Sequence, residues 1–403
     1  MSEESRPKLR VVDLRPIIHQ GRPAVLVSDP LRLTDRVLVV PQPLVPLLML
    51  CDGTRDVGRL RAAAALRFGL RVGPEAVEEL VSALDNALLL ENERFAGALE
   101  RARADYHAAP FRPLTHAGQS YPADVDELRG WLGEQLAAAD VGPAGPHIRG
   151  VISPHIDFLR GAPVYARLWK RAAEAARAAD LAILLGTDHN GGAGRVTLTR
   201  QHYATPFGVL PTAREIVDEL AGMLGEIAFA EEIHHRSEHS LELAAVWLHF
   251  VRQEMPCQTL PILCGSFAGF VGAAGDPQDD PTFAALTDTL RRATAGRRVF
   301  VVAAADLAHV GPAFGGPAQS PLDRARLETT DRELIERACA GDAAGFFAAI
   351  RRVGDRCNVC GLPPIYLALR TLGPLAGELV GYAQCPADDE GTSWVSICGV
   401  VLG

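Results

Sequence analysis

The sequence predicts an α/β protein: a mixed β-sheet with helices on both faces, preceded by a small α+β unit. Three observations lead there. From residue 147 onward, short apolar runs alternate with longer amphipathic stretches, the pattern of strands exchanged with helices across a sheet. Residues 1–95 read differently, as strands followed by three helices. Charge changes at the same place: residues 1–95 hold 13 basic and 13 acidic residues, so the net charge of −9 belongs wholly to the rest. The 403 residues suffice for two domains, read as 1–95, a connector over 96–115, and 116–403.

In the first segment, Ala24–Val27 and Arg36–Val40 are β-rich and short. Val45–Cys51 is an apolar helix stopped by Asp52-Gly53. Val57–Leu66 is the second helix. Pro74–Leu89 is the third, with Val77, Leu80, Val81, Leu84 and Leu88 at helical spacing behind a Gly73-Pro74 start. Residues 96–115, rich in Arg and Ala and then broken by Pro110 and Pro113, pass from helical to extended.

In the second segment, Ile148–Ser153, Leu181–Gly186, Val196–Thr199, Gln258–Leu263 and Arg298–Ala304 are apolar runs of strand length. Helical patterns lie over Pro163–Arg177, Thr212–Leu224, Glu238–Gln253, Pro281–Thr294, Leu322–Ala340, Ala343–Val353 and Pro363–Leu372. Glu378–Gln384 and Trp394–Val401 close the chain as an antiparallel pair. Parallel strands joined through helices, with antiparallel additions, make the sheet mixed.

Composition excludes several classes. Apolar residues are 48% and charged residues 22%, which is a globular balance. No apolar run nears the ~20 residues of a membrane span, and the polar, early-acidic start predicts no secretory signal. The negative charge gives no electrostatic reason to bind nucleic acid or an anionic membrane. Eight cysteines, mostly in apolar stretches, read as reduced thiols, so cytoplasm is the expected location. There is no GxSxG elbow, GxxxxGK[ST] loop, HExxH or strand-linked GxGxxG.

The chemistry-bearing residues follow from one rule: ligands of open α/β sheets sit beyond the carboxyl ends of the strands. "VISPHIDF" puts His155 just past one strand, and "ILLGTDHN" puts His189 past another. "VFVVAAADLAHVG" delivers Asp306 and His309 past a third. Imidazole is both a common metal ligand and the ordinary general base near neutral pH. "RCNVCGLPPIYLALR" adds Cys360 at a helix start, where the dipole and free N–H groups favour a thiolate. Cys357 and Cys360 form a lone CxxC without the second pair that a zinc ribbon needs. In "HHRSEHSLELAAVWLHF", Ser237-Glu238 reads as a helix start with a solvated carboxylate, and His239 and Glu242 as pocket polarity; His234 and His235 stay unassigned.

Seven fragments in this order resemble the Memo family, known in bacteria as AmmeMemoRadiSam system protein B: "THAGQSYPAD", "ISPHIDF", "LLGTDHN", "ATPFG", "EHSLE", "ADLAHVG" and "CGLPPI". They cover nearly the whole chain after residue 114. The resemblance implies a fold like that of class III extradiol dioxygenases, which open catechol rings with non-haem Fe(II). It also implies His155, His189 and Cys360 as metal ligands, with His309 as acid/base and Asp306 beside it. Cys360 would stand where the dioxygenases use a carboxylate. Ile156-Asp157-Phe158 replaces the family's usual Ala-Gly-Tyr, and Ala305 and Ala308 replace small hydroxyl residues, so the pocket floor differs. A His₂Cys set suits one first-row ion, Fe(II), Cu(I) or Zn(II). The first segment resembles a winged helix, close to the peptide chaperone of pyrroloquinoline quinone biosynthesis.

Three functions are then open: a metal-dependent, dioxygenase-like redox enzyme acting on a small molecule or peptide, a non-catalytic metal- or peptide-binding protein, or a peptide-modification partner whose N-terminal domain carries the peptide. AmmeMemoRadiSam proteins are the expected partners.

Overall fold

The structure is a computed structural model that describes residues 6–142, 147–273 and 275–403. It divides into two compact units, Met1–Ala109 and Pro110–Gly403. Residues 96–115 are shared between them, helix going to the first and extended chain to the second.

The first unit is a three-stranded antiparallel sheet, β1 (Asp13–His19), β2 (Arg22–Ser28) and β3 (Leu38–Pro41), in that spatial order. Four helices follow: α1 (Val45–Leu50), α2 (Val57–Phe68), α3 (Pro74–Asn86) and α4 (Glu93–Ala108). Asp56 caps α2 by accepting from the Arg59 N–H. The apolar stripe of α3 packs with Val25, Val27, Val40, Leu47 and Leu60 into the core of this unit. β1 is an edge strand exposed along nearly its whole length, with Leu14 and Ile18 in solvent. Pro16 withholds one donor from it, a usual device on open edges.

The second unit is built on an eight-stranded sheet. Its parallel centre is β4 (Gly150–Ser153), β10 (Val299–Ala304), β5 (Leu181–Thr187) and β9 (Gln258–Cys264), in that spatial order. β6 (Val196–Leu198) joins β9 antiparallel, and β13 (Trp394–Leu402) joins β4 antiparallel. β13 also pairs with β12 (Gly377–Pro386) and with the short β11 (His309–Val310). A separate hairpin, β7 (Tyr203–Thr205) and β8 (Gly208–Leu210), lies off the sheet.

Helices cover both faces, as two core clusters record. On one face α5 (Val125–Ala138), α6 (Phe158–Ala178) and α8 (His239–Val251) pack around Trp169, Tyr165 and Trp247. On the other lie α7 (Arg214–Leu224), α10 (Pro281–Ala293), α11 (Pro321–Cys339), α12 (Ala343–Arg352) and α13 (Leu362–Leu372), around Phe283, Phe346, Phe347 and Tyr366. The remaining short helix is α9 (Ala268–Gly272). β5 is buried at every residue, because a central strand between two helical layers has no wet face. Among the described residues no helix is long and apolar enough to cross a membrane.

One carboxylate in this core has a measurable cost. Asp331 on α11 is fully buried and accepts a 2.8 Å bond from the Tyr382 hydroxyl. Burial pushes its carboxyl up to about 6, against bonds from Ser396 and Tyr382 that pull the other way. A raised acid costs nothing below its unfolded value of about 4; its cost builds as the pH rises from about 4 to about 6 and is constant above. Asp331→Asn, which keeps an acceptor for Tyr382, is expected to gain roughly 2–3 kcal/mol at pH 7.5 and only about 1 kcal/mol at pH 4.5. Urea midpoints at the two pH values check this; equal shifts at both would refute it.

Candidate metal centre

Three parallel neighbours, β4, β10 and β5, end at one edge of the sheet, and the chain turns polar immediately after each. Pro154-His155 follows β4, Ala305-Asp306 follows β10, and Asp188-His189 follows β5. The N-terminus of α13 brings Cys360 to the same edge through a 3.0 Å bond from the Gly361 N–H to the Asp306 carbonyl. A Cβ at Gly361 would stand 2.3 Å from that oxygen and 2.7 Å from the Ala305 Cβ, so only glycine permits the approach. The start of α8 adds His239, with Glu238 as its N-cap.

The histidine rings are oriented by what their Nδ1 atoms meet. His155 Nδ1 lies 3.0 Å from the Ala304 carbonyl, which can only accept, so Nδ1 carries a proton and Nε2 is left for the pocket. His189 Nδ1 lies 3.0–3.1 Å from both oxygens of Glu238, and His239 Nδ1 lies 3.1 Å from one of them. All three rings therefore turn Nε2 away from their anchors. One ring nitrogen from each lies within 4.8 Å of the other two. His189 and His239 stack at 4.7 Å, and His155 stands edge-on to both, at 5.2 and 5.3 Å.

Cys360 Sγ is 3.3 Å from His155 Nε2. Burial would push this thiol up, but His155 and His309, with hydrogen bonds from His155 and His189, hold it well below its ordinary value. The imidazoles answer in kind. Burial alone would lower His155, yet Asp306 and Cys360 raise it to about 9. His189 is raised well above its usual value, against burial, by Glu238 and Cys360. His239 is lowered, because burial outweighs the Glu238 charge. These directions favour a thiolate beside cationic His155 and His189, with His239 neutral. Asp306 accepts the His155 N–H at 2.8 Å and approaches its Nε2 at 3.7 Å.

His309, on β11, is half-buried; its N–H bonds the Cys357 carbonyl at 2.8 Å, and Phe314 meets its ring edge-on at 5.0 Å. Burial lowers it, but the Cys360 thiolate and Asp306 raise it on balance.

Glu242, expected among the pocket groups, lies elsewhere. It is fully buried, and its carboxylate is occupied by the Arg112 guanidinium, the Tyr121 hydroxyl at 2.5 Å, the Thr115 hydroxyl and N–H, and the His116 N–H. Arg112 also bonds the carbonyls of His235 and Glu238. Glu242 thus ties residues 112–121 to the helix that carries His239. The same segment sets the His116 ring 5.6 Å from that of His239, tilted by 57°.

Two further anchors were not readable as such. Glu238, read as a solvated carboxylate at a helix start, is buried and bonds two pocket imidazoles. His234 bonds both oxygens of Asp188 at 3.0–3.1 Å, and Glu231 beside them is taken by Arg195 and the Gly192 N–H. This second gathering of ligand-type residues satisfies itself and braces the loop from which His189 projects. His235 faces another way, to the Tyr203 hydroxyl and the Thr197 carbonyl. The only sequence signal for these roles was an acid or histidine beside a pocket residue.

The donors suit a transition ion. Atoms that share an ion at about 2.0–2.1 Å (N) and 2.3 Å (S) stand roughly 3.1–3.6 Å apart, and His155 Nε2 and Cys360 Sγ are 3.3 Å apart. The thiolate is the state that ligation requires, and the imidazoles, each with Nδ1 anchored, need shed only the Nε2 proton.

Fold and site together define an α/β chain whose histidine–cysteine pocket stands at the carboxyl edge of a mixed sheet. The model of the family described as Memo-like protein matches residues 112–401, and the chain belongs to that family. An Aquifex aeolicus MEMO1 family protein is 26% identical over 405 aligned positions, covering 98% of this chain and all of the relative. A Methanosarcina barkeri MEMO1 family protein is 27% identical over 273 positions, 66% of this chain and 90% of the relative. One from Thermus thermophilus is 29% identical over 280, covering 68% and 78%.

Proposed function

We propose that the chain is a metal-dependent redox enzyme holding one first-row transition ion, Fe(II) or Cu(I) with Zn(II) as a competitor, on His155, His189 and Cys360. The observation that carries the reading is the convergence of imidazoles whose Nδ1 atoms are already engaged with a thiolate 3.3 Å from one of them. When bound, a redox-active ion would supply one-electron chemistry and activation of a small oxidant such as O₂. The chain's own part is positional. Cys360 and the histidines neutralise and orient the ion, and their protons leave as it enters. His309 stands against the thiolate at the pocket wall, where it can hold or move a proton for a bound substrate. His239, its pKa lowered, offers an unprotonated nitrogen within 4.8 Å of ring nitrogens of His155 and His189. Phe314, partly exposed on His309, gives the substrate an aromatic wall. The substrate class is a small molecule or a peptide side chain; the exposed β1 edge of the N-terminal unit supports the peptide.

Anaerobic purification followed by elemental analysis and oxygen uptake tests this. One iron or copper per chain is expected, with uptake stimulated by reductant plus substrate. A chain that retains neither metal nor affinity for either at about 1 mM, near −4 kcal/mol, would contradict it.

A further inference from the structure

Glu238 is the cap of α8, accepting the Ser240 N–H at 2.9 Å. A cap needs one acceptor at a helix start and is usually bathed in solvent. Glu238 is only 4% exposed, and capping uses a small part of it. Oε1 also meets His239 Nδ1 at 3.1 Å and His189 Nδ1 at 3.1 Å. Oε2 meets His189 Nδ1 at 3.0 Å and the His189 N–H at 3.1 Å. Four donors, from two separate chain segments, therefore fall on one carboxylate.

We propose that Glu238 is the positioning residue of the metal centre, fixing His189 and His239 jointly from one carboxylate. The inference rests on the metal reading above and names a residue and a coupling that the reading does not need. A carboxylate is acceptor-only with about four lone-pair directions, so it can serve both imidazoles and both N–H groups at once. Both rings then keep Nδ1–H toward Glu238 and Nε2 toward His155, the arrangement in which an outer carboxylate sets a ligating imidazole. The rings also stack at 4.7 Å with 19° between their planes, so each packs on the face of the other. Glu238 in turn is fixed from behind, its carbonyl accepting from Arg112 at 2.9 Å. The ligand His189 and the pocket base His239 thus share one anchor.

An amide cannot do this. In Glu238→Gln one terminal atom becomes a donor: at the Oε2 position it opposes the His189 ring and backbone N–H groups, and at the Oε1 position it opposes both imidazoles, so His189 is disturbed in either orientation. Glu238→Asp keeps both oxygens one methylene short. The Ser240 cap can survive in either.

The test uses the full chain and Co(II) as probe. Wild type is expected to bind one Co(II) with thiolate charge-transfer and ligand-field bands. Glu238→Gln should lose about 10–100-fold in Co(II) affinity, the usual range for outer partners of metal-bound histidine, with shifted ligand-field bands. Glu238→Asp should fall between. In the metal-free chain, imidazole ¹⁵N–¹H spectra should show hydrogen-bonded Nδ1–H protons on both His189 and His239, and Gln should abolish at least one. Unchanged affinity, bands and imidazole protons in Glu238→Gln would overturn the proposal and leave Glu238 a cap. A wild type that binds no Co(II) but shows the imidazole change would refute the metal reading and keep the joint anchoring. If Glu238→Gln unfolds, Glu238→Asp replaces it: intermediate affinity and a shifted spectrum support the proposal, and wild-type values of both overturn it.

Discussion

Replacing Glu242 by alanine is expected to destabilise the second unit by about 3–5 kcal/mol, the cost of removing one partner of a buried ion pair. Arg112 and Glu242 are both fully shielded from solvent. Burial raises the Glu242 carboxyl, but Arg112, with Tyr121, holds it below its usual value on balance. Without it the Arg112 guanidinium keeps its carbonyl bonds yet loses its counter-charge, and the Tyr121 hydroxyl loses its acceptor. Glu242→Gln should cost less, since one oxygen can still accept. Urea unfolding with an unchanged slope is the measurement. A loss below about 1 kcal/mol, the scale of an exposed pair, together with lost turnover, would return Glu242 to the pocket role its sequence position suggested.

What the sequence revealed follows from where information is local. The strands that position the site were readable because each is a short apolar run ending at a polar residue, so His155, His189 and Asp306 could be assigned to one edge before any topology was known. Cys360 was readable from the Pro363-Pro364 helix start behind it. Other elements gave weaker signals. β1 carries Pro16 and charges on an exposed edge, so it lacks the alternation of a half-buried strand. α4 buries only Ala98 and Tyr106, which left its apolar stripe too thin to separate from a connector. α6 begins at Phe158, five residues before the expected start at Pro163, because Asp157 caps it.

The outer layer of the site was illegible for a different reason. Glu238 and Glu242 sit four apart at the start of one helix, and nothing local distinguishes them. Their roles are decided by Arg112, Tyr121, His189 and His239, which reach them from other segments. A carboxylate's partner is a property of the fold. Asp188 and His234 illustrate the same point: 46 residues separate the two ends of a 3.0 Å bond.

The largest effect on the site itself is expected from His155→Ala. It removes a donor whose Nδ1 anchor and 3.3 Å approach to Cys360 make it the hinge of the cluster. Metal affinity should fall by well over 100-fold, beyond the ~10–100-fold range of outer partners. His309→Ala should keep the metal and lose roughly 10²-fold or more in turnover, the scale of general acid/base catalysis. The most direct measurement is X-ray absorption on the metal-loaded wild type, with His155→Ala and Cys360→Ser alongside. One sulfur at about 2.3 Å and imidazole nitrogens at about 2.0–2.1 Å are expected, with the sulfur lost in Cys360→Ser and one imidazole in His155→Ala. A shell of oxygen donors without sulfur, unchanged in both variants, would contradict this.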